Sequence, residues 1–189
     1  MIPTLVNVLC RRCCDREKIP FVLPKRTGIM SRELGGLEAP REGENAMDQK
    51  EAKKRAFDLV KSCDVFVLST VDGGNRPHSR LMGTKLVEKD MTIYMEAHTD
   101  SKKMGQIEKN PRAQLLFAAK DYSEVVTLSG KATLDGSPSI RKRIWEENPQ
   151  SARYFSRYDD PTLGIIRFEP HELAYYGPST GTEIIEMKL

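Results

Sequence analysis

Two short segments carry residue types suited to gripping a phosphate dianion. Arg80 lies in His78-Ser79-Arg80-Leu81-Met82, which alternates polar and apolar at the two-residue period of a strand. A charged residue inside such a strand either faces solvent or meets an anion. About twenty residues later, Asp100-Ser101-Lys102-Lys103 opens a helical segment, with Asp100 in the capping position. Free backbone N–H groups, a serine hydroxyl and two ammonium groups would converge there. A solvated basic helix start accounts for the same residues, and their spacing alone does not choose between the two.

Other chemistries find less support. The chain has no G-x-G-x-x-G, no Walker loop, no G-x-S-x-G elbow and no H-E-x-x-H. His78, His98 and His171 are far apart, so no ligand pair for a metal is expected. Cys10-x-x-Cys13 is half of a zinc or redox motif that no second pair completes. Cys10, Cys13 and Cys14 are therefore read as free thiols, and Cys63 as a core residue at a helix end. Tyr154, Phe155 and Tyr158 read as packing of a helical insert, with stacking on a ligand or partner as the alternative. Trp145 is open to either role, and Arg141-Lys142-Arg143 reads as a solvated helix face.

The elements that must position these groups are legible from residue 48 onward. Asp48 precedes Ala52, Ala56, Leu59, Val60 and Cys63, an apolar stripe at helical spacing. Strands are predicted at 65–71, 76–87, 91–97, 112–119, 123–134 and 163–169, the last continuing brokenly toward Tyr175-Tyr176. Asp72-Gly73-Gly74-Asn75 joins the first two. Helices are expected at 101–109 and after Ser137-Pro138. Six strands on short hairpin connections, with few helices, make an antiparallel barrel or sandwich rather than alternating βαβ units.

With 189 residues, 39% hydrophobic and 30% charged, the chain can bury one substantial core. A formal charge of +3 excludes a surface built to coat nucleic acid. No run approaches the roughly 18 apolar residues of a membrane-spanning helix. The N-terminal apolar stretch precedes its basic residues, the reverse of an export signal, and a cytoplasmic location is expected. Residues 1–47, rich in Pro and Gly and without periodicity, are expected to be a poorly ordered extension, and 178–189 a C-terminal tail.

The order of the pieces carries more than any one of them. R-P-H-S-R-L-M-G, then I-Y-M-E-A, then D-S-K-K-M-G-Q-I-E-K-N-P-R-A-Q-L-L-F-A, with L-S-G-K-A-T-L at 128–134 and Y-D-D-P-T-L-G-I-I-R-F-E-P-H-E-L-A-Y-Y at 158–176, resembles the pyridoxamine 5′-phosphate oxidase-like FMN-binding split-barrel family, in its general-stress-protein branch. The resemblance covers 48–177. It implies a six-stranded antiparallel split β-barrel, mainly β with helical inserts, which dimerises and holds FMN in clefts at the subunit interface. On the matching positions, Arg80 and Lys103 would meet the FMN phosphate, helped by Ser101 and Lys102. Ser79, Leu81 and Met82 would lie along the ring, Met95, Glu96 and Ala97 would line the next strand, and Gln106 would reach back from the helix. Family members often carry threonine where this chain has Ala97, and Glu96 is expected to face away from the phosphate. The arginine–x–histidine segment that holds the pyridoxal substrate in the true oxidases is missing, so the resemblance does not extend to vitamin B6 oxidation. It implies a flavin-dependent oxidoreductase of unassigned small substrate; a non-catalytic flavin-binding stress protein, or a barrel holding a deazaflavin or haem, are the alternatives.

Overall fold

The computed structural model describes residues 47–83, 85–180 and 184–189; the expected extension over 1–47 lies, Met47 apart, outside them. Helix α1 (Gln49–Ser62) starts after Asp48, whose carboxylate accepts the Lys50 amide at 3.4 Å. It buries the predicted stripe of Ala52, Ala56, Leu59 and Val60. Cys63 closes the helix, and its thiol donates to the Ala118 carbonyl at 3.3 Å. Among the described residues, no helix is long and apolar enough to cross a membrane.

The strands are β1 (Phe66–Val71), β2 (Pro77–Met82), β3 (Lys85–Val87), β4 (Ile93–His98), β5 (Arg112–Ala118), β6 (Val125–Asp135), β7 (Leu163–Tyr176) and β8 (Ile185–Lys188). Seven follow the order β2-β1-β5-β6-β7-β4-β3, every neighbouring pair antiparallel, and β8 pairs with β7. This is the antiparallel split barrel expected, with two strands more than the predicted six. The predicted strand 76–87 divides between Met82 and Lys85, so that β2 and β3 stand at opposite ends of the strand order. The eighth strand comes from the expected tail, where Ile185–Lys188 pairs with Glu172–Tyr175. The last strand continues as expected: β7 runs the whole of 163–176 as one element, with an irregularity in its pairing to β6 at His171.

Register explains the core. Leu68, Leu115, Leu128 and Leu173 are Cα partners across four adjacent strands and all four are buried. Because successive side chains point to opposite faces, the neighbouring row, Leu81, Val67, Leu116, Thr127 and Ala174, lies on the outer face. Phe66 and Phe117 stack inside, with ring centroids 5.0 Å apart. A second cluster lies on the other side of β4 and β7, where helix α3 (Pro138–Glu147) contributes Ile144 to Leu86, Phe155, Leu163 and Ile165. Trp145 packs against this cluster, the packing role left open above.

The α1 helix is also tied down by polar contacts. The fully buried Tyr175 donates its hydroxyl to Glu124, and Arg55 of α1 lies 3.9 Å from the same carboxylate. Burial first, and then the Glu124 carboxylate, push the Tyr175 pKa up to about 12. The folded state thus keeps a proton that the unfolded chain loses near pH 10, so stability is intact below about pH 10 and falls as pH rises toward 12. Alkaline absorbance titration should show one tyrosine ionising well after the others, with the unfolding midpoint falling across the same window; Tyr175→Phe should remove both features.

Candidate functional site

The cleft sits where the sheet opens, between the end of β2 and the end of β4. It has a volume of about 190 Å³ and is walled by Leu81, Met82, Gly83, Glu96, Ala97, His98, Lys103, Tyr154 and Phe155. Five of these nine, Leu81, Met82, Glu96, Ala97 and Lys103, are cofactor-site residues expected from the sequence. Helix α2 (Lys102–Lys109) starts beside it. Its Met104 packs over Gly164 of β7, where an added Cβ would come within 2.5 Å of the Met104 methyl. That absent Cβ lets α2 lie close against the strands and brings Lys103 to the cleft.

Arg80 and Lys103 approach from different elements. On β2, Arg80 is paired with the buried Leu68, so its side chain takes the inner face of the sheet. It donates to the Leu68 carbonyl at 3.0 Å and to Oε1 of Gln106 at 3.0 Å. Since Arg80 can only donate, Oε1 must face it. The buried Thr70 hydroxyl therefore also donates to that oxygen, at 2.7 Å. The Gln106 amide nitrogen is left pointing elsewhere as a donor. Two of five guanidinium N–H groups are used in this way, and three remain.

Burial lowers the pKa of Lys103, and the positive charge of Arg80 lowers it further, while Asp100 works the other way. Burial likewise lowers Arg80. Among the described residues, neither cation has a carboxylate within 4.0 Å, whereas seven other basic side chains do. Two half-dehydrated, mutually repelling cations of this kind would be stabilised by an anion supplied from outside the chain.

The remaining sequence candidates divide. Leu81 is 72% exposed, and Met82 and Ala97 are buried cleft wall. Ser79 faces the opposite side of β2 from Arg80, its hydroxyl 2.9 Å from that of Ser69. Met95 is wholly buried in the main core, and Lys102 is exposed. Ser101, not Asp100, occupies the capping position of α2, and its hydroxyl turns back to donate to the His98 carbonyl at 2.6 Å. Glu96 is only 6% exposed, and both of its carboxylate oxygens accept the Ser151 hydroxyl at 2.8 Å.

Sequence reasoning missed Thr70, Ser151 and the place of His98 in the cleft wall, and gave stacking on a ligand only as the alternative for Tyr154. Phe155 packs as read, 6% exposed and 4.7 Å from the His98 ring, whereas Tyr154 is 61% exposed at the cleft.

This geometry meets a family match. Residues 51–188 match the family model described as "Pyridoxamine 5'-phosphate oxidase like". The chain belongs to the pyridoxamine 5′-phosphate oxidase like family. Within reach of that family, the chain is 30% identical over 130 residues to General stress protein 26 of Bacillus subtilis, covering 67% of this chain and 89% of that protein. The crystal structure of General Stress Protein 26 from Bacillus anthracis superposes with a TM-score of 0.60 at 25% identity, covering 71% of this chain and 98% of that one. A heme binding protein from Mycobacterium smegmatis shares the fold, with a TM-score of 0.59 at 16% identity over 72% of this chain and 57% of its own. The stretch matched to the pyridoxamine 5′-phosphate oxidase like family holds the whole cleft and ends within β8.

Proposed function

We propose that this protein is a homodimeric flavoprotein that holds FMN in the β2–β4 cleft and serves as an oxidoreductase for a small molecule. The observation that carries the reading is the pair Arg80 and Lys103, two half-buried cations without a carboxylate partner among the described residues, set beside a cleft that Leu81, Met82 and Ala97 help to line. The residues present fit the cofactor: cations and the Gln106 amide for its phosphate, Leu81, Met82 and Ala97 for its ring. When bound, the flavin supplies the redox chemistry by accepting electrons from a small reductant and passing them on. The chain's part is to fix the ring, close the floor of the cleft with Met82 and Ala97 and exclude water.

Purified protein should be yellow and should release FMN rather than FAD on denaturation. Reduction by NADH or NADPH and reoxidation by an added acceptor then separates an enzyme from a flavin store. A colourless protein that gains a Soret band with haemin would favour the second reading, haem, which draws on the heme binding fold neighbour and on His98 in the cleft wall.

The dimer reading rests on the outer sheet face, where Leu81 is 72% and Leu116 39% exposed, in one row with Val67. A second copy covering that row would also cover the open side of the cleft at Leu81. Leu116→Asp places a charge on the row without touching the cleft. Sedimentation should show it as a monomer, with FMN affinity reduced about tenfold or more; a dimeric Leu116→Asp protein would overturn this interface.

A further inference from the structure

The carboxylate of Glu96 is out of place for packing: it is 6% exposed on a strand whose neighbours Met95 and Ala97 are also buried. Burying a carboxylate carries a large desolvation penalty that leucine would avoid. The carboxyl group is oriented by the fully buried Ser151, on the short 3-10 turn Pro149–Arg153, 55 residues away in sequence. The one hydroxyl lies 2.8 Å from both oxygens, which fixes the plane of the group against the turn. Glu96 also forms part of the cleft wall. The cleft is small, so whatever occupies it lies within a few ångströms of this side chain.

We infer that Glu96 is a positioning residue that sets the electron affinity of the group bound in the cleft, and that Ser151 fixes its charge in place; the inference rests on the flavin reading. Adding two electrons and one proton to a bound isoalloxazine ring makes the ring more negative by one charge. A fixed anion in the cleft wall opposes that gain and holds the midpoint potential down. Arg80 and Lys103 are assigned to the phosphate, so the chain uses different groups to retain the cofactor and to tune it.

Flavin affinity and midpoint potential, measured with FMN on the full chain, test this. Glu96→Gln keeps the shape and the Ser151 contact while removing the charge. Its two-electron reduction equilibrium should shift at least tenfold toward the reduced form, about 30 mV more positive, with FMN bound no more weakly. Ser151→Ala should shift the potential of the wild-type chain but leave that of the Glu96→Gln background unchanged. A purely structural serine would move both alike, and that outcome overturns its role. A yellow Glu96→Gln protein whose equilibrium moves less than threefold overturns the inference alone. A wild-type chain that takes up no flavin overturns the cofactor reading together with it.

Discussion

Replacing Arg80 and Lys103 together by alanine should weaken FMN binding at least a hundredfold while the protein stays folded. On the proposed reading each cation would make charge-assisted contact to a phosphate dianion, and such contacts are worth about 1.5–3 kcal/mol apiece. Two together give about 3–6 kcal/mol, and each 1.4 kcal/mol is a factor of ten. Burial destabilises both charges and each repels the other, while Arg80 also bonds the Leu68 carbonyl and Gln106; the two effects oppose, so the midpoint of thermal unfolding of the double variant should stay close to that of the unliganded wild type. Lys103→Ala alone should lose about tenfold, since Arg80 remains locked by Leu68 and Gln106. Equilibrium dialysis with FMN measures all three. A double variant that stays fully yellow would refute the phosphate assignment.

The same pair gives a pH signature. The Lys103 pKa lies below the ordinary lysine value in the free protein, for reasons of burial and of Arg80. A bound phosphate raises it again, so binding takes up a proton in the alkaline range. Affinity should be full below the lowered pKa of Lys103 and should fall as pH rises through it; Lys103→Ala should flatten that limb. On the acid side the phosphate loses its second charge near its own pKa of about 6, and affinity declines there in both proteins.

What could be read from the sequence, and what could not, follows from the distance between partners along the chain. Arg80 and Lys103 each sit in a local pattern, an alternating strand and a helix start, and Lys103 lines the cleft. The buried polar pairs have no local signature. Ser151 and Glu96 are 55 residues apart, and Thr70 and Gln106 are 36 apart. Neither serine nor threonine at those positions departs from what an exposed turn or a strand would carry. The division of 76–87 into β2 and β3 was hidden for a related reason. Both halves alternate correctly, and only pairing with β1 on one side and β4 on the other shows that the chain changes partner between Met82 and Lys85. Proline at 170 invited the opposite error. It reads as the end of a strand, yet β7 continues because the residue stands at an irregularity in the ladder.

That irregularity makes Gly130→Ala the most damaging single-methyl change to expect in this fold. Between Ser129 and Gly130 the register with β7 jumps from Glu172 to Pro170, leaving His171 without a partner on β6. A Cβ at position 130 would stand 2.1 Å from the Glu169 carbonyl oxygen and 2.8 Å from the Pro170 Cα. Both contacts are to backbone, so no rotamer change relieves them, and the strands would have to separate. Gly130→Ala should lose about 3 kcal/mol or more, or fail to accumulate as folded protein. Gly105→Ala is the control. Nothing lies within 4 Å of its added methyl on helix α2, and alanine there should be neutral or stabilising by up to about 1 kcal/mol. Urea unfolding of the two variants decides it, and a Gly130→Ala protein as stable as wild type would show that the strands are not this close. The consequence reaches the cleft. β7 pairs with β4 over Leu163–Phe168 and with β8 over Glu172–Tyr175, so the irregularity falls where one neighbour gives way to the other. The strand edge that β4 does not follow past Phe168 marks where the barrel divides, and β4 carries Glu96, Ala97 and His98 to the cleft that this division leaves open.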